Sequence, residues 1–300
     1  MKSNSVYYLA LILVSVIWGV NFGISRFGME VFTPEIFAFF RFGLAVPILF
    51  AVLKWTEGSM KVDKRDLLKL ALIGFFGVTV LEILVMYSIK YTTLANASLL
   101  NVAPWPIFAA LFAPFFTKEV MTPRLAIGGL VALIGVVLII LGGPNGFDFS
   151  SEYMLGNILA LSISLIGALF NLACMPLMKK YSPLRVSSWY MLFGTILMFP
   201  ITLGGWHAVQ MTDFTISVWG AIAYNVVLCT VAAFVLWNLS MNKVGAAKAN
   251  FVPASATVTG ALFFNEQIFV AQIAGGLVIV LGLAFIAMEK KPKISVELGS

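Results

Sequence analysis

Charge is scarce in this chain: Asp, Glu, Lys and Arg make up 11% of its 300 residues, against roughly a quarter in ordinary soluble domains. Together with a 61% hydrophobic content, that shortage excludes a water-soluble globular domain. Histidine occurs once, as His207, and the four aspartates (Asp63, Asp66, Asp148 and Asp213) all fall between apolar runs. A carboxylate–metal cluster or a Ser–His pair inside those runs is therefore excluded, and an intramembrane enzyme with it. No Gly-rich Lys-Ser/Thr phosphate loop is present, which argues against an ATP-driven pump. The two cysteines, Cys174 and Cys229, both lie within apolar runs. They form no disulfide framework or metal site and read as small buried packing residues. No cofactor and no metal are expected.

What the chain has instead is length of apolar sequence. A bilayer core of ~30 Å takes about 20 apolar residues per helix. Hydropathy marks ten such runs, near 7–27, 34–53, 68–88, 94–116, 123–141, 154–178, 183–203, 216–240, 246–264 and 270–288. Thr33-Pro34, Thr122-Pro123 and Ser182-Pro183 each put a hydroxyl at the cap and proline in the first helical turn. Lys2 and the apolar stretch from Val6 to Val20 have the outline of a signal peptide. No small-x-small cleavage site follows and the run continues through Asn21 and Phe22, so it is read as the first span.

The net charge of +6 sits in the breaks between runs, which makes it a topology signal and not a nucleic-acid footprint. With a cytoplasmic N-terminus, that side carries sixteen of the nineteen Lys and Arg residues. The other side has Arg26 and Lys90, and Arg41 lies within the second run. The positive-inside rule then puts both termini in the cytoplasm of a cell inner (plasma) membrane protein.

The runs also repeat. At a fixed offset of 147, Pro106, Phe116, Glu119, Gly128, Gly129, Leu130, Val131 and Gly135 match Pro253, Phe263, Glu266, Gly275, Gly276, Leu277, Val278 and Gly282. Earlier, Pro34 matches Pro183 at an offset of 149. Five spans per copy is an odd number, so the second copy enters the membrane from the opposite side. The expected fold is an all-α membrane protein of ten transmembrane helices in two inverted five-helix repeats. Residues 1–147 form the first, 148–289 the second, and 290–300 a cytoplasmic tail.

Three features, Trp18-Gly19-Val20-Asn21-Phe22, Arg41-Phe42, and a proline followed thirteen positions later by glutamate in both halves (Pro106 to Glu119, Pro253 to Glu266), give the chain its resemblance to the drug/metabolite transporter superfamily. It resembles the ten-helix EamA-type exporters specifically, over nearly the whole chain. Two departures stand out: Gly167-Ala168-Leu169-Phe170 where such proteins often carry a Trp-Ala pair, and only eight positions from Gly245 to Pro253. The resemblance implies a central cavity between the halves, alternating access, and amino acids or related small metabolites as substrates, usually moved outward.

The residues themselves supply candidates. Glu82 is the acidic residue placed well inside a span, where an unpaired charge costs several kcal/mol. It is either a structural ion pair with Arg41 or a site of proton coupling or cation binding. Trp18, Asn21 and Phe22 on the first span, and Asn101, Trp105 and Phe108 on the fourth, outline an aromatic cavity, with helix packing as the alternative. Asn171, Asn250 and Thr257 are further candidate substrate contacts, and Arg41 with Glu82 a gating charge pair. Gly128-Gly129 and Gly275-Gly276 allow close helix approach or mark a dimer face. Expected partners are a small-molecule substrate, the lipid bilayer and a coupling proton, with no nucleic acid, in a monomer or homodimer. A secondary exporter of amino acids, aromatic or bulky ones among them, is the leading reading. A carrier of organic cations and a non-transporting structural membrane protein are the alternatives.

Overall fold

The computed structural model describes residues 2–102, 104–105, 107–108, 111–112, 123–142, 151–210, 214–244, 265 and 267–287. The regular elements among the described residues are all helices, with no strand. They form α1 (Lys2–Gly28), α2 (Pro34–Glu57), α3 (Lys64–Gly74), α4 (Leu81–Tyr91), α5 (Leu94–Val102), α6 (Pro123–Leu141), α7 (Glu152–Met178), α8 (Pro183–Thr202), α9 (Ile216–Ala223), α10 (Ala233–Val244) and α11 (Val270–Ala287). Two π-helical stretches, π1 (Phe75–Val80) and π2 (Tyr224–Ala232), join α3 to α4 and α9 to α10 into continuous spans. Among the described residues, helix falls within nine of the expected runs, as a continuous element over Leu94–Val102 alone in the fourth, and 246–264 lies outside the described residues. Among the described residues, five helices are long and apolar enough to cross a membrane: Pro34–Glu57, Lys64–Tyr91, Glu152–Met178, Pro183–Thr202 and Ile216–Trp237.

Helix starts follow local chemistry. Ser182 accepts from the Arg185 amide at 3.1 Å and Asp63 from the Arg65 amide at 3.0 Å, each satisfying an orphan donor of the first turn. Thr33 departs from expectation: it occupies the cap position before Pro34, but its hydroxyl makes no cap bond and is buried without a partner. Thr122 lies outside the described residues. Gly58 closes α2 with φ +69°, a left-handed turn in which its N–H donates to the Lys54 carbonyl.

The helices pack in matched antiparallel pairs. Along α2 and α8, Phe39 meets Phe199, Phe50 meets Trp189, and Glu57 meets Arg185. Along α6 and α11 the approach is backbone to backbone: a Cβ on Gly135 would lie 2.5 Å from the Gly275 carbonyl oxygen, and one on Gly282 2.5 Å from that of Gly128. In both pairs, numbers rise on one helix as they fall on the other, so each helix opposes the one five runs later. The paired glycines serve this crossing inside the chain, as expected where lipid gives helices no hydrophobic reason to associate and close van der Waals contact must do so. Outward faces stay apolar: Leu130, Leu277 and Ile216 are 62%, 60% and 90% exposed, a surface that suits acyl chains and not water.

At the basic end, α2, α3 and α8 are clasped by polar contacts. Arg185 reaches one Glu57 oxygen with Nη2 (2.8 Å) and Nε (3.2 Å), and Lys180 reaches Asp66 at 2.7 Å and Asp63 at 3.4 Å. The Tyr181 hydroxyl donates to Asp66 and accepts from the Asp63 amide. Exposed pairs like Lys180–Asp63 contribute only ~0–1 kcal/mol each.

Replacing Gly135 with alanine forces this Cβ against backbone and should destabilise by ~1–3 kcal/mol, read as a lower melting temperature of purified protein. Gly220→Ala, with nothing within 4 Å of the added Cβ, should leave stability unchanged or slightly raised. The Arg65 amide, then Lys180, hold the Asp63 carboxyl below its ordinary pKa. A lowered folded-state pKa stabilises above the unfolded value and is lost as pH falls through the folded one. Asp63→Asn should therefore melt earlier than the parent at neutral pH, with the gap closing below about pH 4.

Candidate functional site

Arg41 lies seven residues into α2, about 10 Å from the helix start at 1.5 Å per residue, and is 5% exposed. A guanidinium at that depth must be paired and hydrogen-bonded or the fold would reject it. Its Nη1 meets Glu82 Oε2 at 2.9 Å, its Nε donates to Thr230 Oγ1 at 2.9 Å, and its Nη2 points at Cys229 Sγ at 3.3 Å. The Phe42 ring lies 5.0 Å from the guanidinium carbon. Glu82 stands in the first turn of α4, directly after π1, while Cys229 and Thr230 belong to π2.

The π turns explain how so many polar groups meet here. An i→i+5 turn widens the helix and displaces carbonyls from the regular ladder. In π2 the Asn225 carbonyl accepts from Thr230 Oγ1 at 2.8 Å and the Cys229 carbonyl from Trp18 Nε1 at 3.1 Å. Asn225 Oδ1 also accepts from Ser25 Oγ at 3.4 Å. The two π stretches begin at 75 and 224, the same separation of 149 that relates Pro34 to Pro183.

The sequence-derived candidates divide into groups. Arg41 and Glu82 pair directly. Trp18 is half-buried on α1, with its ring against Phe234 and Trp237 at 5.5 and 5.1 Å, so it braces α10. Phe22 is buried in the main core. Asn21 is 5% exposed and its Oδ1 has no hydrogen-bond partner; it lies one turn from Ser25 on the same face of α1. Asn101 is buried on α5, where its backbone carbonyl accepts a short bond from Ser164. The half-buried Trp105 lies over Gly167, where a Cβ would come within 2.7 Å of the indole. Phe108 is half-buried and Asn171 exposed on α7. Asn250 and Thr257 lie outside the described residues, as do Glu119 and Glu266.

The offset of 149 exposes a chemical asymmetry beneath the shared geometry. It pairs Trp18 with Gly167, Asn21 with Phe170, Phe22 with Asn171, Ser25 with Cys174 and Arg41 with Tyr190. Phe170 and Tyr190 meet edge to face at 5.2 Å. Asn21 and Arg41 thus have aromatic counterparts, while Trp18 and Phe22 are themselves aromatic opposite Gly167 and Asn171.

Hydropathy missed a second polar layer at the far end from the basic loops. Asn96 donates to Asn157 (3.0 Å) and Tyr153 (2.9 Å), Gln272 donates to Asn96 (2.6 Å), and Thr92 donates to Asn157 (2.8 Å). Arg26 donates to the carbonyls of Ile89 and Thr92 at 3.1 and 2.7 Å. Single polar residues near helix ends carry no periodic signal, so only their convergence in space reveals the layer.

A helical bundle with apolar outward faces and a charged pair enclosed among α2, α4 and π2 has the build of a membrane transporter. The chain belongs to the EamA-like transporter family, whose model matches residues 5–141 and 154–288; its members are transporters and not enzymes. It is similar to the "Uncharacterized transporter YdfC" of Bacillus subtilis (30% identity, 90% of this chain and 87% of that one) and to YyaM of the same organism (26%, 92% of each). A "Probable terminal-alkyne amino-acid exporter" of Streptantibioticus cattleyicolor is 24% identical over 92% of each chain. A crystal structure superposes with a TM-score of 0.67 over 94% of this chain and 96% of that one, at 19% identity, a likeness of fold alone.

Removing one member of a buried pair strands the other. Arg41→Leu should therefore destabilise the protein by ~3–5 kcal/mol, while Arg41→Leu with Glu82→Leu should recover much of that loss. Melting curves of the parent, both single variants and the double variant measure this coupling.

Proposed function

We propose that the protein is a secondary active transporter of the inner (plasma) membrane that exports amino acids, including bulky or aromatic ones, or related small metabolites. Ten helices in two inverted five-helix repeats carry it, with both termini and the basic loops in the cytoplasm. The antiparallel pairing of α2 with α8 and of α6 with α11 supports this architecture, because the two copies of a parallel repeat would run in the same direction.

The observation that carries the transport reading is the Arg41–Glu82 pair among α2, α4 and π2, together with the Asn21 oxygen left without a partner on α1 between Trp18 and Ser25, which both bond to π2. Buried polar atoms are usually satisfied in folded proteins. Of the three left open among the described residues, Thr33 Oγ1 and Asn157 Nδ2 lie towards helix ends, while Asn21 Oδ1 lies mid-span on α1, where a ligand could reach it. The basic clasp and the opposite amide layer lie towards the two ends of the bundle, as gates must for alternating access. Substrate enters between Asn21, Arg41 and Glu82, with Asn101, Trp105, Phe108 and Asn171 as its further contacts; Asn250 and Thr257, candidates from the sequence, lie outside the described residues. Trp18 and Phe22 support that wall from behind. The relative that bears an amino-acid exporter's name supports this substrate class.

Amino acids at 100 times their Kd should raise the melting temperature of purified protein by the equivalent of ~2.7 kcal/mol. A panel of amino acids run beside quaternary amines measures this. Shifts confined to the amines would move the function to organic-cation transport.

A further inference from the structure

Resting on the amino-acid reading above, we infer that Arg41 and Glu82 are the two poles of the substrate site, Arg41 for a carboxylate and Glu82 for an ammonium, so that the site selects zwitterions. The pair brings one positive and one negative group to 2.9 Å, with 5% and 13% of their side chains exposed, and its net charge is zero. A zwitterion entering between them leaves the total charge zero and gives each pole a new partner. An amine alone or a carboxylate alone leaves one buried charge uncompensated, which the low dielectric of the interior penalises heavily.

The hydrogen bonding of the pair indicates where each end docks. Arg41 is anchored at Nε by Thr230, whose hydroxyl is itself fixed by the Asn225 carbonyl. That leaves the Nη1–Nη2 edge forward. This edge is held by a single Glu82 oxygen and by the Cys229 thiol, a weak acceptor. A substrate carboxylate accepting from both nitrogens of that edge replaces one strong and one weak bond with a planar two-bond fit. Glu82 then turns to the ammonium. Among the described residues its hydrogen bond is the one to Arg41, through Oε2. Its side chain keeps 13% exposure where Arg41 keeps 5%, so Glu82 is the more open of the two. In the second half, Tyr190 takes the position equivalent to Arg41, so one such site is built and not two.

The test uses purified protein in liposomes and three forms each of leucine, methionine, phenylalanine and tryptophan: the free amino acid, its methyl ester and its N-acetyl derivative. The parent protein should move at least one free amino acid, with both blocked forms reduced at least tenfold. Glu82→Gln should shift preference at least tenfold towards the N-acetyl form, and Arg41→Gln at least tenfold towards the ester. A parent that moves a free amino acid and a blocked form equally well overturns the zwitterion site while leaving amino-acid transport standing. Variants that lose all three forms in proportion while their melting curves stay cooperative also overturn it. A parent that moves no free amino acid overturns both readings.

Discussion

Lipid offers no hydrogen bonds, so every charge and displaced carbonyl at depth must find its partner inside the chain. The Arg41–Glu82 pair is where this constraint is most severe, and much of the local architecture serves it. The two π stretches widen the spans that carry Glu82 and Cys229–Thr230. The extra room lets Thr230 reach back to the Asn225 carbonyl and forward to Arg41. Trp18 takes the displaced Cys229 carbonyl, tying α1 to the same centre.

Elsewhere the packing follows the rule for helices that gain nothing from hiding apolar surface. Gly135 against Gly275, and Gly128 against Gly282, bring α6 and α11 to backbone contact. The bundle is tied at both ends by polar groups, with carboxylates, lysine and arginine at one end and amides with Arg26 at the other. Geometry repeats at an offset of 149 while chemistry does not, since Arg41, Asn21 and Ser25 face Tyr190, Phe170 and Cys174 as their counterparts. The bends recur at this spacing while the charge does not, which leaves the buried ion pair on one side alone.

Much of this was legible in the sequence. Apolar length and proline caps placed the helices, because both are local properties, and the depth of Arg41 and Glu82 in adjacent runs was enough to pair them. The role of Trp18 was only partly legible: its depth suggested a cavity lining, while the indole is engaged with Cys229, Phe234 and Trp237. Cys229 read as simple packing, yet it lies 3.3 Å from Arg41. The π stretches left no signal, since an inserted residue in a helix changes hydrogen-bond register without changing composition. Nor did the amide layer, whose members Asn96, Asn157 and Gln272 come from three separate helices.

The account rests on two copies of one unit facing opposite ways, so equivalent positions must open to opposite sides of the membrane. Single cysteines at Glu57 and Trp206, which are 149 positions apart, with Cys174 and Cys229 replaced, give the direct test in sealed, oriented vesicles. Membrane-impermeant thiol reagent should label position 57 only from the cytoplasmic side and position 206 only from the outside. Labelling of both positions from one side would contradict it.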